Sequence, residues 1–221
     1  MNISIAPNFL AKWPHIALGV VEARVKVSAS PPILIEQVKK LAEQKALGME
    51  VSDISQMPSI KMGRKAYKAT GKDPARYRLA SEALLRRIVK GKGMYYVNNV
   101  VEINNYISIT WGFPICAFDA GKIQGEVCFT VGTAEDAYEG IGRGELNIDG
   151  LPAFADELGK FGTPTSDSVR TQITDQTTDL LMVIVGFDGL SAELDDALTK
   201  LQEMLKDYAK AHEVGSRILH G

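Results

Sequence analysis

Apolar and polar positions along this chain change period often, and the changes mark its elements. Asn2 to Ala6 alternates as a short strand, and Pro7-Asn8 and Trp13-Pro14 bracket a turn or short helix. His15 to Ser28 predicts a longer strand with two phases. Ile16, Leu18 and Val20 fall on one face; Val21, Ala23, Val25 and Val27 fall on the other. That switch near Gly19 predicts either a bulge or a strand buried on both faces. Ser30-Pro31 reads as an N-cap followed by a first helical residue, and Leu34, Val38, Leu41 and Ala42 then form a stripe that Gly48 ends.

Met49 to Gly71 predicts short helices and turns, with Ser52 and Ser59 as caps. Asp73-Pro74 predicts the start of a helix carrying Leu84 and Ile88 one turn apart. On it, Arg78, Glu82 and Arg86 recur at four-residue spacing, which lets one acid pair with a base on either side. Gly91 and Gly93 stop it. Asn98 to Trp111 fits a helix through Val100, Ile103 and Ile107, yet nearly fits a strand through Val101, Ile103, Ile107 and Ile109. After a tight turn at FPICAFD, Val127, Phe129 and Val131 alternate as a strand, and Asp149-Gly150 signals a hairpin between short strands. Phe161 to Thr178 reads as loop plus short strands, and Leu180 to Phe187 as a central strand. Ser191 caps a last helix with Leu194, Leu198, Leu201, Leu205 and Tyr208 in one stripe, and Gly215 to Gly221 reads as a loose tail. Strands and helices mix without regular alternation. The pattern implies one α+β domain over residues 1–221, with sheets packed together and helices outside, rather than a doubly wound fold.

Composition alters this picture in one respect. The net charge is −2, but Lys61 to Lys92 holds eleven Lys and Arg against Asp73 and Glu82, while the remainder carries −11. Such a basic segment on an acidic body attracts a polyanion such as RNA, or is simply a solvated helical surface. Lys61, Arg64, Lys65, Lys68, Arg86, Arg87 and Lys90 are its candidate RNA contacts. The longest apolar run, Leu180 to Val185, has six residues, far below the ~18 of a membrane helix, and the N-terminus lacks a signal-peptide pattern, so a cytoplasmic protein is expected. Two cysteines fit a reducing compartment.

Common catalytic motifs are missing. None of the four Gly-Lys pairs is followed by Ser or Thr, and Gly140 to Gly144 lacks dinucleotide spacing and reads as a flexible turn. There is no G-x-S-x-G elbow. The three histidines, His15, His212 and His220, lie near the chain ends without metal-ligand spacing, so neither a metal nor another cofactor is expected. Cys116 lies in a loop by this reading, as a nucleophile or, preferably, a small buried packing residue.

Two segments carry a family pattern. Asn98-Asn99-Val100-Val101-Glu102-Ile103-Asn104-Asn105-Tyr106 is followed by Pro114-Ile115-Cys116-Ala117-Phe118-Asp119 and Lys122-Ile123-Gln124-Gly125. Farther on come Asp167 to Thr174 and Thr177. Together these resemble the B3/B4 domain of the phenylalanyl-tRNA synthetase beta subunit, over roughly residues 10 to 210. The resemblance implies a three-layer β/β/α fold with a sandwich-like core, a helix over Asn98 to Trp111, and an editing site that hydrolyses a wrongly attached amino acid from tRNA. Carried over by position, Asn105, Pro114 and Cys116 line the amino-acid pocket. Cys116 stands where the family has its editing histidine, Glu102 where it has an aspartate, and no G-G-E occurs, leaving Asp167 as the nearest acid.

The resemblance therefore implies a free-standing trans-editing hydrolase acting on aminoacyl-tRNA, with Asn105, Cys116 and Asp167 as its catalytic candidates. Asn104, Pro114, Ile115, Ser168 and Thr171 are its substrate-binding candidates. An ester already activated by its vicinal ribose hydroxyl needs chiefly an oriented water and oxyanion donors, which Asn and Thr supply. Loss of the histidine equally motivates a binding module without turnover, since a thiol accepts a proton poorly unless its pKa is lowered.

Overall fold

The strand with two apolar phases is buried on both faces. A computed structural model, in which residues 1–189 and 191–221 are described, places β2 (Ala17–Arg24) inside a four-stranded sheet. Its pairing with β10 (Asp179–Gly186) runs without a register shift from Arg24↔Asp179 to Ala17↔Gly186, so β2 carries no bulge against that neighbour. The sheet order is β11-β2-β10-β3, with β3 spanning Ile115–Asp119 and β11 His212–His220. One face receives α7 (Ala192–Ala209), whose Leu194 and Leu198 press on Gly19. The other meets a five-stranded sheet through Phe118, which stacks edge-on against Phe154 and Phe161.

That second sheet has the order β1-β4-β7-β8-β9. Its strands are β1 (Ile3–Ile5), β4 (Val127–Val131), β7 (Pro152–Asp156), β8 (Gly159–Thr163) and β9 (Ser166–Asp167). β1 joins β4 in parallel and the other pairs are antiparallel. A separate hairpin, β5 (Ala137–Gly140) and β6 (Gly144–Asn147), lies beside it. The remaining helices are α1 (Pro7–Leu10), α2 (Pro32–Gly48), α3 (Val51–Ile54), α4 (Pro58–Thr70), α5 (Ala80–Val89) and α6 (Asn99–Trp111). The protein is thus a mixed α+β fold of two sheets with a helical layer. One apolar core runs from Ile3 to Ala209, and no described helix is long and apolar enough to cross a membrane.

Several local expectations are corrected by packing. FPICAFD is not a turn: Gly112, at φ +79°, ends α6, and Ile115 to Asp119 is the edge strand β3. A Cβ at Gly112 would come within 2.7 Å of Ser59 Oγ, so space as well as conformation requires glycine there. Asp149-Gly150 is a corner, because β6 and β7 belong to different sheets; the real hairpin turns within Gly140 to Gly144. The tail is strand β11, which gains a second edge of β2 to pair with.

Helix starts also differ from the serine and Asx rules. Pro31 precedes α2 with Pro32 as its first residue, and Ser30 Oγ has no partner. Glu50 and Asp53 cap α3 reciprocally, while Ser59 instead donates to Trp111 O at 2.8 Å. Asp73 holds a turn, accepting from Ala75 N, and α5 begins only at Ala80. Ser191 does cap α7, through Leu194 N at 3.2 Å.

Candidate functional site

The asparagine-rich segment divides into residues that build α6 and residues that face outward. Asn98 Oδ1 accepts from Val101 N at 3.0 Å, and Glu102 accepts from Val97 N and Asn98 N, so both groups satisfy amides around the helix start. Burial raises the Glu102 pKa, opposed by those same backbone donors. Asn99 is buried and joins three elements. Its Oδ1 accepts from Ser28 N, and its Nδ2 donates to Lys26 O and Tyr208 O, each at 2.9 Å. These three residues hold the helix in place. Asn104 and Asn105 are then left on its partly exposed side.

That side forms one wall of an open groove of about 290 Å³. It is lined by Ala80, Ala83, Leu84 and Arg87 of α5, Asn104, Asn105 and Ser108 of α6, and Arg143 from the β5–β6 turn. Asn104 Oδ1 is inaccessible and has no hydrogen-bond partner. Through Ala83 and Arg87 the groove adjoins a basic cleft of about 350 Å³, whose other residues are Arg78, Arg86, Lys90 and Lys92. No acid lines either depression.

Arg87 is fixed from three directions. Its Nε donates to Gly93 O (2.9 Å), its Nη2 donates to Lys92 O (2.8 Å), and its guanidinium lies 3.9 Å over the Tyr95 ring. Arg86 behaves differently. The fully buried Glu82 accepts from Arg86 Nε at 2.9 Å and from Arg64 Nη1 at 3.0 Å, so its second base comes from α4 and not from Arg78. Lys61, Arg64, Lys65 and Lys68 line a smaller depression on α4, of about 170 Å³.

Cys116 and Asp167 occupy a different place. Both lie where the open edge of β3 faces β9. The Ala117 N–H on that edge donates to Asp167 Oδ2 at 3.2 Å, while Oδ1 is enclosed without a hydrogen-bond partner. Burial is the main cause that pushes the Asp167 carboxyl up to about 7, opposed by the Ala117 amide and the Cys116 thiol. Burial likewise pushes the Cys116 thiol well up, and the neighbouring Asp167 adds to it. Two tyrosines close the cluster. Tyr67 of α4 bonds Thr165 Oγ1 at 2.9 Å, and Tyr138 of β5 donates to Ser166 O and Thr163 Oγ1. Burial raises both phenols. The thiol is therefore protonated near neutrality and shielded, the reverse of an activated nucleophile.

Pro114 and Ile115 are buried beside it, and Pro114 O accepts from Val185 N. Ser168 and Thr171 are also buried; their hydroxyls lie 3.3 Å apart, and Ser168 N donates to Phe161 O. Arg170 grips Asp156 through two bonds of 2.8 and 2.9 Å, and Asp119 accepts from Thr177 Oγ1 at 2.9 Å. The structure thus brings Cys116, Asp167, Ser168 and Thr171 to the sheet–sheet junction, and Asn104 and Asn105 to the open groove. Arg143, Tyr67 and Tyr138 were not singled out from sequence. Only Arg143 had a signal, as a lone charge among the glycines of Gly140 to Gly144. No group of metal-ligating side chains occurs among the described residues.

The B3/4 domain family matches residues 63–210, which include α6, β3 and the Asp167 segment. The chain belongs to this family. Among relatives of this B3/4 protein, YhzB of Bacillus subtilis (strain 168) is 22% identical over 92% of the chain and 90% of its own length. The phenylalanine–tRNA ligase beta subunit of Moorella thermoacetica (strain ATCC 39073 / JCM 9320) is 31% identical over 50% of the chain, and the match spans only 14% of that subunit. That of Rhodopirellula baltica (strain DSM 10527 / NCIMB 13988 / SH1) is 26% identical over 48% of the chain and 16% of its own length. An N-terminal fragment of the phenylalanyl-tRNA synthetase beta subunit from Pyrococcus horikoshii superposes with a TM-score of 0.50 at 13% identity, covering 98% of the chain and 50% of the fragment. That likeness is one of fold.

Proposed function

We propose that this B3/4 protein binds the aminoacylated end of a tRNA in the cytoplasm and hydrolyses a wrongly formed ester. The observation that carries the reading is the acid-free basic cleft that continues through Ala83 and Arg87 into the groove bearing Asn104 and Asn105. Cationic side chains along a cleft attract and align a phosphate backbone, and amides at its end can orient a water and donate to a developing oxyanion. In the step itself, the water oxygen bonds to the ester carbonyl carbon, the carbon–oxygen bond to ribose breaks, and the ribose oxygen takes up the proton. Asn105 contacts the reacting group in this scheme. Cys116, within β3, and Asp167 beside it support the fold at the sheet–sheet junction in this scheme, together with the buried Pro114, Ile115, Ser168 and Thr171.

The test is release of amino acid from a panel of mischarged tRNAs. Release above the spontaneous rate for at least one pair is expected, with tRNA affinity falling steeply as salt rises because Lys and Arg displace counterions from phosphates. Absence of release from every pair would overturn it.

A second reading has its own support. Cys116 is buried and its thiol pKa is raised, so the position that holds a histidine in the family supplies no accessible base here. Tight binding of charged tRNA without turnover would identify a recognition module instead.

A further inference from the structure

The β5–β6 hairpin ends in a charge that the fold itself does not use. Arg143 is exposed, and its guanidinium makes no hydrogen bond or ion pair among the described residues. Gly142 and Gly144 on either side have φ of +66° and +69°, which sets the turn that carries Arg143 at its tip. The stem is anchored at the other end: Tyr138 bonds Ser166 O and Thr163 Oγ1, and Ile141 N donates to Asp167 O at 3.1 Å. A well-anchored stem thus presents a free arginine at the groove.

Across the groove stands Arg87, already immobilised by Gly93 O, Lys92 O and Tyr95, with its Nη1 making no hydrogen bond among the described residues. On the α6 wall is Asn104, whose carbonyl oxygen is buried without a donor. An unmet acceptor on a side chain whose terminal torsion is soft can turn to meet a ligand N–H. At about 290 Å³ the groove is near the lower bound of ligand pockets, ~300 Å³. That volume suits a group no larger than one nucleotide.

We infer that the β5–β6 turn is a clamp for a single nucleotide, with Arg143 and Arg87 taking its phosphate from opposite sides and Asn104 accepting from its base or from an attached amine. Two guanidinium forks, that of Arg87 already immobilised, suit a phosphate better than point charges, and no acid lines the groove. The inference deepens the proposed tRNA reading, because the same groove then receives the last nucleotide of a single-stranded RNA end. The shared chemistry also fits a free nucleotide.

Binding of 5′-AMP and of a four-residue single-stranded oligoribonucleotide to the full chain tests it. Arg143→Ala is expected to weaken both about tenfold, to lower the salt slope by about one, and to leave the melting temperature unchanged. Arg143→Lys should recover only part, and Asn104→Leu should weaken binding while Asn104→Asp preserves it for a ligand bearing an amine. Oligonucleotide binding tighter than AMP assigns the site to an RNA end; equal binding assigns it to a free nucleotide. Unchanged affinity of Arg143→Ala for both probes overturns the clamp. Because binding is read without turnover, nucleotide binding lost in Arg143→Ala upholds the clamp even if no tRNA is deacylated. Hydrolysis with unaltered KM and affinity in Arg143→Ala would sink the clamp alone.

Discussion

The sealed cluster at Cys116 and the open groove at Asn104 begin in the same stretch of sequence and end in opposite environments. Only ten residues lie between Asn105 and Cys116. Asn105 lies on a partly exposed helix side, whereas Cys116 faces the space between two sheets. The groove is basic and open to ligand; the cluster holds a protonated thiol, a carboxyl raised to about 7 and two tyrosines. The contrast teaches that positional resemblance transfers a backbone more securely than it transfers chemistry. A histidine replaced by a small apolar thiol turns a candidate proton carrier into part of the packing. The neighbouring acid then satisfies the open edge of β3 through Ala117 N.

Four outcomes would sharpen or break that contrast. The largest effect is expected from pH, at the sealed side. Asp167 has a folded pKa near 7 and an unfolded value near ~3.9. The folded state therefore holds its proton more tightly. Stability from this group is complete below about pH 4, is lost as pH rises to about 7, and stays flat above, with a total of order 4 kcal/mol. Urea denaturation at several pH values should show this fall in the wild type and not in Asp167→Asn. An equal fall in both would place the carboxyl in water and break the contrast.

Next comes Glu82, which lies fully buried between Arg64 and Arg86 on the basic side. Glu82→Ala leaves two part-buried arginines unpaired and should cost about 3 kcal/mol in denaturant unfolding. A loss below roughly 0.5 kcal/mol would mean that the pair behaves like an ordinary surface ion pair.

Asn99→Ala removes three hydrogen bonds that tie α6 to Ser28, Lys26 and Tyr208, and about 2 kcal/mol should be lost. In contrast, Asn105→Ala should leave unfolding within about 0.5 kcal/mol, the usual range for a surface change. If the two variants are destabilised alike, the division of this segment into building and facing residues fails.

The smallest effect concerns reactivity. Brief iodoacetamide treatment of the native protein should label the half-buried Cys128 and spare Cys116. Cys116→Ser should accordingly leave any deacylation unchanged within about twofold, since the buried thiol supplies no thiolate. Preferential labelling of Cys116 would restore it as a nucleophile.

Local pattern by itself determined much of the fold. The α+β class, the central strand ending near Phe187, the α7 stripe and its Ser191 cap, and the strand around Phe129 all follow from periods that neighbouring residues enforce. The doubled phase of β2 was readable as burial on both faces, because each face met its own apolar layer. The helix over Asn98 to Trp111 needed the family resemblance, since β-branched residues left the local preferences balanced. Tertiary structure decided what periodicity cannot encode. β11 became a strand because β2 offered it an edge, Glu82 chose Arg64 because α4 packs against α5, and FPICAFD became a strand because β10 was there to pair. It also decided the site. Sequence spacing put Asn105 and Cys116 in one motif, but a helix side and a sheet interior differ in water and dielectric. Those conditions, more than residue identity, set whether a side chain meets a ligand or holds the fold together.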